Sequence, residues 1–506
     1  MNSYVQFFAA LIPIVWLMVS LGVMKLPSHK TTAFTLILTI LLAVLVWKMP
    51  ISQALTATLE GFAIAFWPII IVIIAAVFTY NLSIHTGSME VIKKMMTSIT
   101  TDKRILVLIL AWGFGGFLEA TAGFGTAVAI PASIMAALGF DPVFAAMICL
   151  IANTTPTAFG AIGLPVTTLA EVAGLNASTL SYSVAIQLVG LIVIVPLILV
   201  MLTGKSVKAA KGVVFISLAS GLAFALPELL IARYMGPALP ALLGSLISII
   251  VTVIIAKVFY KNTTSQMEKI SLKQGLLAWV PFILVLAFVL LTSSLFPTIE
   301  KPLSSIQSIF KIYNGPHAKP DSFLWIANPG TLIIIATFIG GLIQGAKFKE
   351  ILSVLFKTCK QMTKSGVTIL AIVALAKVMS YSGMIASIAV VLVAVTGSFY
   401  PIIAPVMGAL GTFVTGSDTS ANILFGPLQV QVANNLHLSP YWLAAANTGG
   451  ATAGKMISPQ SIAVATAATG IIGSEGKLLK ATLKFCLAYV LILGLIVYLG
   501  PKLFGM

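Results

Sequence analysis

The segment GGFLEATAGFGTAVAI, residues 115–130, is apolar over most of its length, but glycines, threonines and the carboxyl side chain of Glu119 interrupt it. A second segment of the same character, GTFVTGSDTSAN at residues 411–422, carries Asp418. In the hydrocarbon core of a membrane a backbone group without a hydrogen-bond partner is costly. Irregular chain therefore survives there only against protein or a water-filled cavity. The two segments predict a membrane protein in which broken helices surround a central site.

The composition of the whole chain also indicates a membrane protein. Hydrophobic residues make up 59% of the 506 residues, charged residues only 8%, and the mean hydropathy is +1.09, whereas a soluble protein carries about 25% charged residues. The basic residues behind the formal charge of +16 lie in short loops, which is typical of residues that orient helices and not of a nucleic-acid interface. The cysteines and histidines show no ligand spacing, so the sequence indicates neither an enzyme nor a cofactor.

Apolar runs long enough to cross a bilayer recur along the chain. Two longer regions, 105–174 and 401–473, are apolar but broken by small and polar residues. Each is expected to hold one re-entrant hairpin (105–138, 401–436) followed by one broken helix (143–174, 441–473). The result is an all-α polytopic protein with about 12 transmembrane helices plus two re-entrant hairpins. The unbroken helices are expected at 5–24, 31–47, 61–80, 184–203, 213–231, 239–256, 275–296, 325–345, 366–382 and 481–500.

Basic loops orient these helices, because lysine and arginine favour the cytoplasmic side. The long 297–324 segment, with its prolines, then falls outside. The loops assigned to the cytoplasm contain Lys25, Lys30, Lys93, Lys94, Lys103, Arg104, Lys205, Lys208, Lys211, Lys257, Lys261, Lys269, Lys273, Lys347, Lys349, Lys357, Lys360 and Lys364.

The sequence carries an internal repeat. By the loop charges, 61–80 runs inward and 366–382 runs outward, so the two copies are predicted to have opposite orientation. We expect a first repeat at 1–205, connecting helices at 206–260 and a second, inverted repeat at 261–506, which is the organisation of a secondary transporter. A shift of 296 residues places Gly87 on Gly383, Gly115 on Gly411, Phe117 on Phe413 and Pro131 on Pro427.

Four irregular stretches, 119–125, 153–156, 416–420 and 447–450, combine small residues with hydroxyl or amide side chains. Glycines such as Gly123 and Gly125 let a ligand approach the backbone. The N-terminus of each half-helix presents free N–H groups and a positive dipole end to an anion. The alternative interpretation is that glycine and threonine merely allow close helix packing.

Charged residues inside these stretches are candidates for coupling substrate transport to proton transport, since an ionisable residue within the membrane is by default a functional candidate. Glu119 and Asp418 are the candidate proton carriers, and each could alternatively cap a hairpin or pair with a fixed cation. Lys455, just after the fourth stretch, could attract a substrate carboxylate, neutralise Asp418, or do both.

Three blocks, residues 115–130, 411–422 and 446–461, resemble the L-lactate permease family, and the resemblance runs nearly from end to end. It implies uptake of lactate, or of glycolate and related 2-hydroxy acids, by proton symport across the bacterial plasma membrane. A more distant resemblance to carboxylate carriers of the ion-transporter superfamily implies that hairpins and broken helices supply the substrate contacts. The positions that it assigns to substrate binding are Asn153, Thr154, Ser417, Thr419, Asn447 and Thr448.

Other functions remain open at the level of sequence. A sodium-coupled carboxylate symporter would suit the many amide and hydroxyl groups, and an anion channel would share the composition. A membrane-bound sensor should carry a soluble signalling segment, and no loop is long enough for one. The expected partners are a small monocarboxylate, the proton and the lipid bilayer. A homodimer is one of the assemblies that the sequence allows.

Overall fold

The computed structural model describes residues 3–24, 26–97, 99–121, 123, 125–260, 270–292, 296–316, 318, 320–471 and 474–504. The orienting lysines Lys25, Lys261 and Lys269 lie outside the described residues.

The first part of the chain is helical from end to end. Short π-helical segments at Met18–Val23, Ala65–Ile70 and Leu108–Phe114 join or extend α-helices, and a 3-10 turn covers Thr155–Phe159. The α-helices are α1 Ser3–Leu17, α2 Ser28–Leu45, α3 Ile51–Ile64, α4 Ile71–His85, α5 Ser88–Thr97, α6 Lys103–Val107, α7 Gly115–Thr121, α8 Thr126–Ala137, α9 Pro142–Ala152, α10 Gly160–Ala173 and α11 Ala177–Thr203.

Two helices, α12 Val214–Tyr234 and α13 Pro240–Phe259, connect this part to the rest. The remaining helices are α14 Leu272–Leu291, α15 Pro297–Ser304, α16 Pro329–Ile343, α17 Phe348–Ser382, α18 Met384–Thr396, α19 Tyr400–Thr415, α20 Asp418–Asn435, α21 Pro440–Lys455, α22 Pro459–Ala468 and α23 Glu475–Phe504.

Among the described residues, eleven helices are long and apolar enough to cross a membrane, or twelve if one bent pair counts as a single span. That pair is Pro142–Ala152 with Thr155–Ala173, bent by 50°, which is the broken helix predicted at 143–174. The polytopic all-α architecture is confirmed. The re-entrant character of the hairpins and the inverted repeat stay predictions.

Two helices are longer than the sequence indicated. The predicted spans 61–80 and 366–382 are the apolar halves of 35-residue segments, Ile51–His85 and Phe348–Ser382. The first half of each segment contains polar and charged residues, which lower its hydropathy, so hydropathy alone does not predict that half as part of the span. Helix α18 was not predicted, because it lies between the expected span 366–382 and the broken region 401–473.

The outer segment 297–324 contains structure that was predicted as a loop. It forms α15 and a two-stranded antiparallel sheet, β1 Gln307–Phe310 and β2 Asp321–Leu324. The indole Nε1 of Trp67 donates a hydrogen bond to the Leu324 carbonyl (2.6 Å), so this sheet is anchored at the kink between α3 and α4.

The first hairpin consists of α6 and α7, joined by a π-helical segment, and the returning helix α8. Lys103 Nζ donates to the Gly139 carbonyl at 2.9 Å, so both ends of the hairpin lie together. Arg104 also donates to the carbonyls of Ala209 and Lys211. This end therefore adjoins the basic loop that follows α11, as the predicted cytoplasmic side requires.

Helix α21, which follows the second hairpin (α19 and α20), begins at the opposite end of α11. The backbone N–H of Asn176, just before α11, donates to the Tyr441 hydroxyl at 3.4 Å, and Tyr441 lies at the start of α21. Helix α11 has 27 residues, which corresponds to about 40 Å. Helices α9 and α21 thus begin at opposite ends of α11, an arrangement that supports two units of opposite orientation.

One predicted break is wrong. Helix α21 continues without interruption through Asn447–Gly450, and the chain leaves the helix only at Met456–Ser458. The glycines there serve close packing, since a β-carbon at Gly450 would overlap the Pro405 carbonyl of α19. The alternative interpretation, in which small residues let two helices approach, holds for this stretch.

Replacement of Gly450 by alanine is expected to force α19 and α21 apart. Overpacking of this kind costs about 1–3 kcal/mol, so we expect Gly450→Ala to lower the midpoint of thermal unfolding in detergent. Gly190→Ala is the matched control, because a β-carbon at Gly190 in α11 meets nothing within 4 Å. A Gly450→Ala variant as stable as the Gly190→Ala variant would contradict the packing role.

Candidate functional site

The tips of both hairpins line one chamber of about 150 Å³. Glu119, Gly123 and Gly125 of the first hairpin meet residues 416–420 of the second in this chamber. Its wall is completed by the starts of α10 and α22, the end of α21 and the middle of α17. The lining residues include Glu119, Gly123, Gly125, Gly160, Ser417, Asp418, Thr419, Lys455, Gln460 and Ser461.

In the described part of the chain, five helices begin at this chamber: α2, α8, α10, α20 and α22. Ser417 caps α20 by accepting from the Ser420 N–H, and Ser458 caps α22 by accepting from the Ser461 N–H. The start of α8 at Gly125 and the start of α10 have no side-chain cap, although the Thr126 N–H donates to the Gly123 carbonyl and the Val128 N–H to the Gly125 carbonyl. The positive dipole ends of the helices favour an anion in the chamber.

One buried ion pair spans the chamber. Lys455 Nζ lies 2.5 Å from Glu119 Oε1, with side-chain exposures of 12% and 3%. The partner of Lys455 is thus Glu119, whereas the sequence had suggested Asp418. A β-carbon at Gly160 would come within 2.7 Å of Glu119 Oε1, so glycine at this position makes room for the carboxyl. Glu119 Oε2 has no hydrogen-bond partner among the described residues.

Asp418 is the second carboxyl of the chamber. It opens α20, is buried, and neither of its oxygens has a hydrogen-bond partner in the described part of the chain. Lys455 and Glu119 are close enough to interact with it electrostatically. A buried charge without a partner is costly, and binding a proton removes that cost. The chamber therefore holds one cation and two carboxyl groups that compete for it.

Asn447 and Thr448, assigned to the substrate by resemblance, lie away from the chamber wall. Asn447 Nδ2 donates to Asn422 Oδ1 (2.9 Å), and Asn447 Oδ1 accepts from Gln429 Nε2 (3.3 Å). Asn422 in turn donates to the Pro165 carbonyl. This buried amide network ties α21 and α20 to the start of α10.

Asn153 and Thr154 also lie outside the chamber wall. Both are buried at the end of α9, where Asn153 Nδ2 donates to Thr157 Oγ1 at 3.4 Å and Thr154 Oγ1 donates to the Leu150 carbonyl. Thr157 itself lines the chamber. The first Asn-Thr pair therefore terminates a helix beside the site, whereas Gly123, Gly125, Ser417 and Thr419 line the site itself.

Several lining residues were not predicted. Gln460 and Ser461 open α22, and the sequence Ser458-Pro459 before them is a recognisable helix start. Ser365 and Thr368 come from α17. No motif could have identified them, because isolated hydroxyl residues on a long helix carry no signal.

Known proteins resemble this chain over almost its whole length. The family model for L-lactate permease matches residues 6–504. An L-lactate permease of Streptococcus iniae is 58% identical over 442 residues, covering 87% of this chain and 93% of the relative. The glycolate permease GlcA of Escherichia coli is 37% identical, covering 98% and 95%.

A solved structure has a similar fold. It is that of MtrF from Neisseria gonorrhoeae, described as illuminating a class of antimetabolite efflux pumps. The two structures align with a TM-score of 0.52 at 13% identity, covering 95% of this chain and 96% of the other. At this identity the likeness concerns the fold alone.

Proposed function

Because the chain belongs to the L-lactate permease family, a multi-pass plasma-membrane transporter family, we propose that it takes up L-lactate by proton symport. D-lactate and glycolate are the further substrates of this proposal. The observation that carries it is the chamber itself, where several helix starts and Lys455 offer one site for a small carboxylate. Two carboxyl groups lie beside that cation.

The substrate carboxylate binds between the positive ends of the helices and Lys455 Nζ. A charged group in a low-dielectric site needs a partner of opposite charge, and Lys455 supplies it. We assign the bonds to the 2-hydroxyl to Ser417, Thr419, Gly123 and Gly125, which line the chamber. The Asn153-Thr154 and Asn447-Thr448 pairs hold the helices around the site and act on the substrate indirectly.

Competition for Lys455 couples the proton to the substrate. Without substrate, ionised Glu119 neutralises Lys455 through the 2.5 Å contact. An incoming carboxylate displaces Glu119 from Lys455 and leaves a buried negative charge, which a proton on Glu119 removes. Asp418 can take the proton in the same way. The loaded chamber then carries lactate and a proton together with no net added charge, and an uncharged load crosses the bilayer at lower cost.

The test uses the purified protein in proteoliposomes, with pH and sodium gradients imposed separately. An inward lactate gradient should draw protons inward and make the external medium more alkaline. Sodium-dependent uptake without proton movement would overturn the symport proposal. Electrical currents far above carrier turnover would instead identify a channel.

Asp418→Asn is expected to lower proton-driven lactate accumulation by about an order of magnitude. The change removes a proton-binding group at nearly constant volume, and a tenfold loss corresponds to about 1.4 kcal/mol. Asp141→Asn is the matched control, because Asp141 is an exposed cap of α9 that asparagine replaces well. Equal accumulation by the two variants would exclude Asp418 from proton coupling.

A further inference from the structure

A second cavity of about 130 Å³ lies beside the chamber, on the side of the outer sheet. Its walls come from the kink at Trp67, from Leu324 of β2 and from α10. Glu171 and Ser322 are exposed at this cavity. By the loop charges, this is the extracellular side of the protein.

Only a thin partition separates the two cavities. Leu164 lines both of them, Ala161 lines the chamber and Ile162 lines the second cavity. Residues 161–163 are consecutively left-handed, with φ of 43°, 58° and 74°. For a non-glycine residue such a conformation costs about 1–3 kcal/mol and persists only where the surroundings impose it. The strained stretch thus lies on the direct route from the second cavity to the chamber.

The lining of the second cavity fits a small molecule with an apolar body and one hydrogen-bonding end. Most of its wall is apolar, from Trp67, Val72, Ile162, Leu164 and Leu324. Thr168 also lines the cavity and is fully buried, and its Oγ1 has no hydrogen-bond partner among the described residues. An unpaired buried hydroxyl is unfavourable, and a ligand would satisfy it.

We propose that this cavity is an outer vestibule that binds a short-chain monocarboxylic acid on its way to the chamber. The proposal rests on the proposed transport function. The apolar wall accommodates the methyl end of the acid, and Thr168 bonds its polar end. Glu171 lies at the mouth, and Lys377 only partly offsets its charge. A dicarboxylate carries two negative charges and is repelled more strongly than a monocarboxylate, so the vestibule selects monocarboxylates.

Thiol labelling from the outside tests the vestibule. The background is Cys359→Ser, because Cys359 is exposed whereas Cys149 and Cys486 are buried. In this background, Thr167→Cys places a thiol in the vestibule wall, and Ser322→Cys places one at the exposed mouth. A membrane-impermeant methanethiosulfonate reagent should inhibit lactate uptake by both variants. External lactate should slow the labelling severalfold, and succinate should slow it much less.

Ser305→Cys is the matched control, because Ser305 is exposed at the end of α15 and does not line the vestibule. Its labelling should be insensitive to lactate and leave uptake intact. Labelling of Thr167→Cys and Ser322→Cys at a rate that lactate does not change would overturn the vestibule, as would absence of labelling in variants that still transport. Uptake by the Cys359→Ser parent is measured first, so a failure of the proposed lactate symport is distinguished from a failure of the vestibule.

Discussion

Glu119→Gln is expected to abolish lactate accumulation against a gradient while lactate–lactate exchange continues. Glutamine has the shape of a protonated glutamate but cannot release a proton, and it leaves the charge of Lys455 free for the substrate carboxylate. The variant should therefore bind lactate at least as tightly as the parent. The measurement compares uptake driven by a proton gradient with counterflow of labelled lactate in the same proteoliposomes.

Glu90→Gln is the control for this experiment, because Glu90 pairs with Lys93 on the surface of α5, away from the chamber. It should accumulate lactate as the parent does. If Glu119→Gln still accumulated lactate against its gradient, the Glu119 carboxyl would have no role in proton coupling. Loss of both accumulation and exchange would show that Glu119 holds the site in shape and does not carry the proton.

Lys455→Met is expected to weaken lactate binding by roughly 30-fold or more, since truncating one member of a buried charge pair costs about 2–5 kcal/mol. Lysine and methionine are similar in length, so the change removes the charge with little loss of packing. Binding is measured by calorimetry on the purified protein and compared with half-saturation of uptake.

The single variant also leaves Glu119 buried without its cation, which by itself is destabilising by about 3–5 kcal/mol. The double variant Glu119→Gln with Lys455→Met removes both charges and should recover the thermal stability but not the lactate affinity. Recovery of lactate binding in the double variant would mean that Lys455 serves only to neutralise Glu119.

The sequence predicted the hairpin tips because a carboxyl among glycines inside an apolar run has few structural explanations. Glu119 and Asp418 therefore pointed to the chamber, and both line it. The same reasoning misplaced the break near Asn447, since two adjacent glycines look alike whether they interrupt a helix or let another helix approach. That difference depends on Pro405, a partner distant in the sequence.

The ion pair between Lys455 and Glu119 could not be predicted from the sequence alone. Lys455 lies closer in the sequence to Asp418 than to Glu119, so Asp418 was the expected partner. In the structure Lys455 instead contacts Glu119, which is 336 residues away in the sequence. The vestibule had no sequence signal either. Its wall combines single residues from α4, α10 and the outer sheet, none of which forms a motif.

The absence of room between α19 and α21 has a consequence for how the protein changes shape. Two helices whose backbones touch at Gly450 and again at Gly408 and Gly454 have no room to slide past each other. Helix α19 leads into Asp418 and α21 ends at Lys455. This close packing therefore favours a carrier in which α19 and α21 shift together relative to its other parts.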